Sequence, residues 1–287
     1  MSRIAYVNGA YVRQADACVH IEDRGFQFAD GVYEVWAVFG GRLAEWKGHA
    51  DRLQRSLHEL SIDMPMPINA LQVVLRETIR RNRLRDGIVY IQITRGQAPR
   101  DHAFPKGDVA PSVIVTCKRM DFAALEAKSK KGVGIKTTPE NRWGRCDIKT
   151  VGLLPNVLAK QAAHEAGAYE AWFVDELGLV TEGSSTNAWI VDADGVLRTR
   201  DTNANILRGI TRHSLIDVAR EAGIEVSERP FSVDEAKAAR EAFLTSASAF
   251  VTPIVNVDGQ AVGDGKPGPV SQRLRALYVA RAREAAV

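Results

Sequence analysis

The chain has 287 residues, a formal net charge of +3, and a composition that is 45% hydrophobic and 25% charged. This length favours one large or two medium domains, and the composition excludes a disordered chain, a repeat array and a mini-protein. So small a net charge excludes a strong electrostatic attraction to nucleic acid. The sequence shows no signal-like N-terminus and no apolar run of about 18 residues, so we expect a soluble protein that does not bind membranes.

The N-terminal third is predicted to form hairpins followed by two amphipathic helices. Asn8-Gly9 and Gly40-Gly41 accept the positive φ angles of tight hairpin turns. Leucines at helical spacing then predict two helices, and a long Gly- and Pro-rich loop separates the next two β-rich runs, a length typical of functional loops. The predicted strands are 4–7, 11–13, 32–39, 42–46, 88–94 and 113–117, and the predicted helices are 49–60 and 71–84.

Between residues 118 and 132 the composition turns to Ala, Glu and Lys without a strong apolar stripe. We therefore predict domains over 1–120 and 132–287, joined by a linker over 121–131. Strands and helices alternate in the second domain, which indicates an α/β or mixed α+β protein of enzyme size. Its predicted strands are 133–137, 170–174, 188–191, 243–245 and 254–257, and its predicted helices are 157–165, 209–222 and 271–286.

Three stretches of the second domain are unusually polar for their surroundings. Lys149 ends the first stretch and precedes an apolar segment, 151–155, which disfavours the charged form of the lysine and makes its amine a candidate nucleophile toward an aldehyde. The second, 180–187, combines Glu182 with glycine and hydroxyl groups that allow a ligand to approach the backbone. The third, 207–212, opens a helix whose first amides can bind a phosphate. On residue chemistry alone, a solvated lysine and an ordinary hairpin with an exposed glutamate are the better explanations of the first two stretches, and a capped surface helix explains the third equally well.

In this order, the segments Arg145–Lys149, Glu182–Ser185 and Gly209–Thr211 resemble the signature of the fold type IV pyridoxal-phosphate enzymes. The resemblance runs from Glu22–Gly25 to the end of the chain. It implies a two-domain fold, with a smaller N-terminal α/β domain and a larger C-terminal, mixed β-barrel-like domain flanked by helices. The family contains D-amino acid, branched-chain and (R)-amine transaminases and aminodeoxychorismate lyases.

The resemblance also implies roles toward pyridoxal 5′-phosphate. Lys149 is similar to the lysine that bonds covalently to the cofactor aldehyde and later carries the substrate proton, and Glu182 is similar to the acid that faces the pyridine nitrogen. Ala247 stands where related enzymes have a threonine for the phosphate, so we expect either that a neighbouring serine substitutes for it or that the cofactor is held slightly less tightly. The other implied cofactor-binding residues are Arg52, Ile210 and Thr211 at the phosphate, Leu207 at the ring face, and Ser246 or Ser248 beside Ala247.

The loop Thr94–Pro105 resembles the carboxylate trap of D-amino acid transaminases. In that group Arg100 and His102 would reach across a dimer interface, and Tyr33 would complete the trap, which implies a homodimer. A guanidinium donates two parallel hydrogen bonds to a carboxylate, which suits Arg100 to this role. The resemblance thus implies a ping-pong transamination between a D-amino acid, such as D-alanine or D-glutamate, and a 2-oxo acid, such as 2-oxoglutarate or pyruvate.

Other functions remain open on the sequence. A branched-chain L-amino acid transaminase, an (R)-amine transaminase and an aminodeoxychorismate lyase would use the same cofactor, and a non-enzymatic cofactor carrier is a further possibility. The histidines show no ligand spacing, so we expect no metal. The three scattered cysteines suit a reducing cytoplasm.

Overall fold

The computed structural model describes residues 3–202 and 206–287, which divide into two compact units. Unit 1 consists of Met1–Asp121, Ile148–Gly152 and Ala285–Val287, and unit 2 of Phe122–Asp147 and Leu153–Glu284. The segment predicted as a linker is largely a helix, Phe122–Lys131, within unit 2. The segment around Lys149, which the sequence assigns to the second domain, belongs to unit 1.

Unit 1 is built on a six-stranded antiparallel sheet in the order β2-β1-β6-β5-β3-β4. Asn8-Gly9 and Gly40-Gly41 all have positive φ and form the two tight hairpin turns that the sequence predicts. One helix begins at Trp46, inside the predicted strand 42–46, so that strand ends early. The elements are β1 (Ile4–Val7), β2 (Ala10–Arg13), a 3₁₀ turn (Gln14–Asp16), α1 (Arg24–Phe28), β3 (Gly31–Phe39), β4 (Arg42–Leu43), α2 (Trp46–Glu59), α3 (Ile68–Arg81), β5 (Gly87–Thr94) and β6 (Ser112–Arg119).

The core of unit 1 lies between the sheet and the apolar faces of α2 and α3. Leu53 and Leu57 of α2 share one helical face, and Leu71 and Leu75 of α3 share another, because residues four apart lie on the same side of a helix. All four are buried, together with Trp36 of β3. This packing fixes α2 against the strand that carries Tyr33 and Glu34.

Unit 2 is built on a mixed nine-stranded sheet. Its strand order is β12-β11-β10-β13-β14-β7-β8-β9, with β15 paired to β14, and the pairs β14–β7, β7–β8 and β11–β12 are parallel. The core contains Trp172 and Phe231 with rings at 5.8 Å. The elements are α4 (Phe122–Lys131), β7 (Val133–Pro139), α5 (Leu154–Glu165), β8 (Glu170–Val174), β9 (Val180–Gly183), β10 (Asn187–Val191), β11 (Leu197–Thr199), α6 (Ile210–Glu221), β12 (Val226–Glu228), α7 (Val233–Ala238), β13 (Glu241–Ser246), β14 (Phe250–Val257), β15 (Gln260–Ala261) and α8 (Pro269–Glu284).

The described helices give no sign of membrane insertion. Across residues 3–202 and 206–287, none combines the length and the apolar character that a bilayer span requires.

Candidate active site

Lys149 is placed in unit 1 by backbone pairing of its segment with β3. The Tyr33 amide donates to the Lys149 carbonyl at 3.0 Å, and the Val151 amide donates to the Gly31 carbonyl at 3.1 Å. The Lys149 amide donates to Ser56 Oγ of α2 at 3.3 Å. The half-buried side chain places Nζ 4.1 Å from the centre of the Tyr33 ring. The predicted nucleophile and the predicted trap tyrosine therefore lie in direct contact.

Tyr33 also contacts Tyr90 of β5. The two rings stack with centroids 5.5 Å apart, and the Tyr90 hydroxyl donates to Gln92 Oε1 at 2.8 Å. Burial, together with the neighbouring Tyr33 phenol, raises the pKa of Tyr90 to about 12. Tyr90 thus stays neutral at physiological pH and supports the Tyr33 ring as a fixed surface for Lys149.

Arg52 of α2 is held by a fully buried carboxylate, Glu34 of β3. Arg52 Nε and Nη2 donate to Glu34 Oε2 and Oε1 at 2.9 and 2.7 Å, and His49 Nδ1 lies 2.9 Å from Oε1. Burial opposes ionisation of Glu34, but Arg52 and His49 outweigh it and hold the pKa of the carboxyl well below its usual range. The ion pair fixes the plane of the guanidinium that we expect at the cofactor phosphate.

Arg100 and His102 lie together on one aromatic ring. The Arg100 guanidinium lies 4.6 Å from the centre of the Phe28 ring, and the His102 ring is tilted against the same ring at 5.4 Å. Both residues are exposed. Within the described part of unit 1, the two side chains therefore meet on Phe28.

In unit 2, Glu182 is buried at the end of β9 among three donors. Arg142 Nη1 donates to Oε1 at 2.5 Å, Asn187 Nδ2 donates to Oε2 at 3.0 Å, and the Leu207 amide reaches both oxygens at 3.1 and 3.2 Å. Arg142 also pairs with Glu140 through Nε and Nη2 at 2.8 and 2.6 Å. Such a set of donors orients the Glu182 carboxylate, and hydrogen bonds to a carboxylate favour its charged form.

Sequence analysis missed Arg142 and Asn187. Arg142 stands in the polar stretch before Lys149, but it contacts Glu182 only because the fold brings together residues 40 apart in sequence. Asn187 ends the stretch that contains Glu182, and its side chain also donates to the Leu207 carbonyl at 3.0 Å. The signal available in the sequence was Glu140, two residues before Arg142, since acidic and basic residues so close often share a pair.

Helix α6 begins immediately after Gly209. A Cβ on Gly209 would lie 2.0 Å from Asn187 Oδ1, so no side chain fits there, and none caps the helix. The amides of Ile210 and Thr211 belong to the first turn, whose N–H groups have no intrahelical acceptor. The Thr211 hydroxyl lies 3.1 Å from that of Tyr278. The helix therefore presents backbone donors and the positive end of its dipole to an anion.

Ser246, at the end of β13, shapes the turn that contains Ala247. Its Oγ accepts from the Ala249 amide at 3.0 Å and lies 3.5 Å from Ser248 Oγ. The hydroxyl hydrogen remains a donor in this arrangement because Ser246 acts as acceptor toward Ala249. The turn thus offers a hydroxyl next to the position where a threonine was expected.

These residues match the functional groups of pyridoxal phosphate. In unit 1, the amine of Lys149 suits an aldehyde and the guanidinium of Arg52 suits a phosphate. In unit 2, the buried Glu182 carboxylate suits a protonated pyridine nitrogen and the first amides of α6 suit a phosphate. Glycine at position 209 allows Asn187 to pack directly against the start of α6. In the described ranges, no group of three or more His, Cys, Asp or Glu side chains could hold a metal ion.

Comparison with known proteins agrees with this geometry. Residues 31–257 match the family described as amino-transferase class IV, and the chain belongs to that family. The D-alanine aminotransferase of Bacillus licheniformis is 39% identical over 268 residues, covering 93% of each chain. The D-alanine aminotransferase of Staphylococcus haemolyticus is 39% identical over 271 residues, covering 94% of each chain.

Solved structures of branched-chain amino acid aminotransferases share the whole fold. The Escherichia coli enzyme has a TM-score of 0.91 at 27% identity, covering 100% of this chain and 97% of that one. The T.th. enzyme complexed with N-(5′-phosphopyridoxyl)-L-glutamate has a TM-score of 0.90 at 28% identity, covering 99% and 95%. The expected fold type IV architecture and the expected pyridoxal-phosphate aminotransferase class are both confirmed.

Proposed function

We propose that this protein catalyses a ping-pong transamination between D-amino acids and 2-oxo acids with pyridoxal phosphate. D-alanine with 2-oxoglutarate, giving pyruvate and D-glutamate, is the expected pair. The D-alanine aminotransferases that cover more than nine tenths of this chain support it. The structural observation that carries the proposal is the pairing of Arg100 and His102 on Phe28, because it presents two carboxylate donors side by side.

The proposed residue roles are those that the family resemblance implies, and the contacts described above support them. Pyridoxal phosphate, when bound, supplies an aldehyde that condenses with amines and a ring that withdraws electrons from the substrate Cα. Lys149 would hold the cofactor through that aldehyde and would move the proton at the substrate Cα, and the Tyr33 ring would fix the position of the lysine amine. Glu182, paired with Arg142, holds a proton on the pyridine nitrogen.

Phosphate binding is assigned to one guanidinium, two backbone amides and one hydroxyl. Arg52 is oriented by Glu34, and Ile210 and Thr211 offer backbone amides at a helix N-terminus. The Ser246 hydroxyl supplies the bond that Ala247 cannot make. Leu207 is assigned to the ring face, since its amide already anchors Glu182.

Handedness is assigned to the trap formed by Arg100, His102 and Tyr33. A carboxylate fixed there presents the α-hydrogen of a D-amino acid to Lys149, whereas the L-isomer directs its hydrogen away. A branched-chain L-transaminase is the alternative that the structural neighbours favour, but those neighbours are only 27 and 28% identical, against 39% for the D-alanine aminotransferases. We therefore prefer the D-amino acid reaction to the branched-chain L-amino acid reaction.

We also propose that the protein is a homodimer in the cytoplasm. Leu154, Val157 and Leu158 lie on one face of α5 and are 68, 58 and 58% exposed in the single chain. Such an apolar face is typical of a surface that a second copy covers. All three cysteines are free thiols, which suits a reducing compartment.

Enantiomer pairs test the reaction most directly. The holoenzyme is given D- and L-alanine and D- and L-leucine with 2-oxoglutarate, then (R)-1-phenylethylamine and aminodeoxychorismate. We expect turnover of D-alanine at least about a hundredfold faster than of L-alanine, since a misplaced reacting atom costs about that factor. Turnover of L-leucine without turnover of D-alanine would replace the proposal with the branched-chain alternative.

The same preparation tests Lys149. Borohydride reduction followed by peptide mass spectrometry should find the cofactor fixed to the peptide that contains Lys149. Lys149→Ala should show no such adduct and near-zero turnover, while Lys47→Ala, an exposed lysine paired with Asp51, should behave like the unchanged enzyme. An adduct on another lysine would contradict the assignment.

A further inference from the structure

A buried group of three charged side chains lies beneath the loop that carries Arg100 and His102. Arg24 Nε donates to Asp30 Oδ2 at 2.8 Å, and Arg95 Nε and Nη2 donate to Asp30 Oδ2 and Oδ1 at 2.7 and 3.1 Å. The three side chains are 3, 10 and 10% exposed, in the order Arg24, Asp30 and Arg95. We call these residues the Asp30 triad.

The triad connects the loop backbone to the helical scaffold of unit 1. Arg24 Nη1 donates to the Asp101 carbonyl at 2.6 Å, and Nη2 donates to the His102 carbonyl at 3.4 Å. Arg95 donates to the Leu60 and Ser61 carbonyls, just beyond α2, at 2.7 and 2.8 Å. The carbonyls that flank the trap side chains are therefore fixed to the end of α2 through a single carboxylate.

Aromatic contacts extend the same arrangement to the side chains. The Phe28 ring receives the guanidinium of Arg24 at 4.9 Å as well as that of Arg100 at 4.6 Å and the His102 ring at 5.4 Å. The Phe104 ring lies 3.6 Å from the Arg95 guanidinium. Arg24 therefore shares the Phe28 ring with Arg100 and His102, and Arg95 contacts Phe104, which follows them in the loop.

The ion pairs of the Asp30 triad are not explained by a contribution to the stability of the fold. Burying ion pairs costs desolvation energy that often cancels the attraction, so apolar residues of the same size would stabilise the fold as well. An ordered binding loop, in contrast, binds its ligand more tightly, because it loses little conformational entropy on binding. Each member of the triad bonds to the loop or holds a residue that does.

We propose that Arg24, Asp30 and Arg95 are positioning residues that hold Arg100 and His102 in place for the substrate carboxylate. This inference rests on the proposed function. Because both half-reactions present a carboxylate to the same trap, the triad sets the KM for the D-amino acid and for the 2-oxo acid together. It leaves the chemistry at Lys149 unchanged.

The first test compares Asp30→Asn with the unchanged holoenzyme. We expect KM for D-alanine and for 2-oxoglutarate to rise about tenfold or more, with kcat within about twofold and the visible absorbance of bound cofactor unchanged. Asp16→Asn is the matched control, because Asp16 pairs with Arg13 at 2.5 Å on the exposed surface of the same unit. Arg24→Lys, which keeps the charge but replaces the planar fork that reaches Asp30 and two carbonyls by one compact ammonium, carries the test if Asp30→Asn does not fold.

The second test measures how ordered the loop that carries Arg100 and His102 is in the absence of substrate. Limited trypsin digestion, followed by mass spectrometry, measures cleavage after Arg100 and Lys106, and we expect cleavage about tenfold faster in Asp30→Asn or Arg24→Lys than in Asp16→Asn. Unchanged KM in a variant whose loop is cut faster would overturn the proposal. So would raised KM with unchanged cleavage, or a fall in kcat or bound cofactor without a change in KM.

The two tests separate the inference from the proposed function. An unchanged enzyme that does not turn over D-alanine contradicts the function, and the trypsin comparison then still decides whether the triad orders the loop. Turnover of D-alanine with identical KM and cleavage in all variants would leave the function standing and overturn the inference alone.

Discussion

At the scale of single residues, the buried carboxylate of Glu34 shows how the protein compensates a charge that has no contact with water. Glu34 has no exposed surface and lies against Arg52 and His49, so its carboxylate is fully compensated. The motif that identified Arg52 gave no hint of Glu34, because the pair joins residues 18 apart on a strand and a helix. Residue types in a motif can be predicted from sequence, but the residues that orient them depend on packing.

Glu34→Gln should therefore destabilise the fold strongly. Removing one partner leaves two buried groups opposite an amide, at a cost of about 3 to 5 kcal/mol in the free energy of unfolding. Asp51→Asn, which breaks an exposed pair with Lys47 on the same helix, should cost no more than about 1 kcal/mol. Denaturant unfolding of both variants at neutral pH measures the difference, and equal losses would contradict the expectation.

We also expect the stability difference between the unchanged protein and Glu34→Gln to depend on pH. The folded-state pKa of Glu34 is lowered, so its contribution is fully present above the unfolded value of about 4.3 and is lost as the pH falls through the folded-state pKa. The stability gap between the unchanged protein and Glu34→Gln should narrow progressively below about pH 4.3. A gap that widens on acidification would show that Glu34 is not ionised in the native state.

At the scale of secondary structure, the sequence identified most of the long elements but not the ten-residue helix α4, which it assigned to a linker because its apolar stripe is weak. The hairpin turns at Asn8-Gly9 and Gly40-Gly41 were predictable because they need positive φ at both residues. The short elements α1, β9 and β12 were missed, since three to five residues carry no readable period. The predicted helix opening at Gly209 is confirmed, and its position depends on contacts with Asn187 that the sequence does not reveal.

Gly209→Ala tests the start of α6. The new methyl group would approach Asn187 Oδ1 to 2.0 Å, and moving Asn187 disturbs a donor to Glu182. Overpacking of this kind costs about 1 to 3 kcal/mol, which lowers Tm by several degrees in a unit of this size. Retention of the cofactor on dialysis should fall as well, as measured by visible absorbance.

Gly144→Ala is the matched control for that variant. Nothing lies within 4 Å of the position that its Cβ would occupy. Its Tm and its cofactor retention should equal those of the unchanged protein. Equal Tm and equal cofactor retention in Gly209→Ala and Gly144→Ala would show that the close contact between Gly209 and Asn187 does not require glycine.

At the scale of the whole molecule, the exposed face of α5 leads to the proposed dimer. Leu158→Glu places a charge on that face, and a two-fold symmetric interface would contain the substitution twice. We expect light scattering to show a dimer for the unchanged protein and a shift to monomer for Leu158→Glu. Leu177→Glu, at a hairpin turn where the leucine is 82% exposed, should remain dimeric. A monomeric unchanged protein at micromolar concentration would contradict the assembly.

The assignment of Ile148–Gly152 to unit 1 has a consequence for biosynthesis. A ribosome that has completed residues 1–121 has not yet made Lys149, and the intervening residues 122–147 belong to unit 2. Contacts this distant in sequence form slowly. We therefore expect nascent chains to bind the vitamin B6 aldehyde through Lys149 only after synthesis of unit 2 has begun.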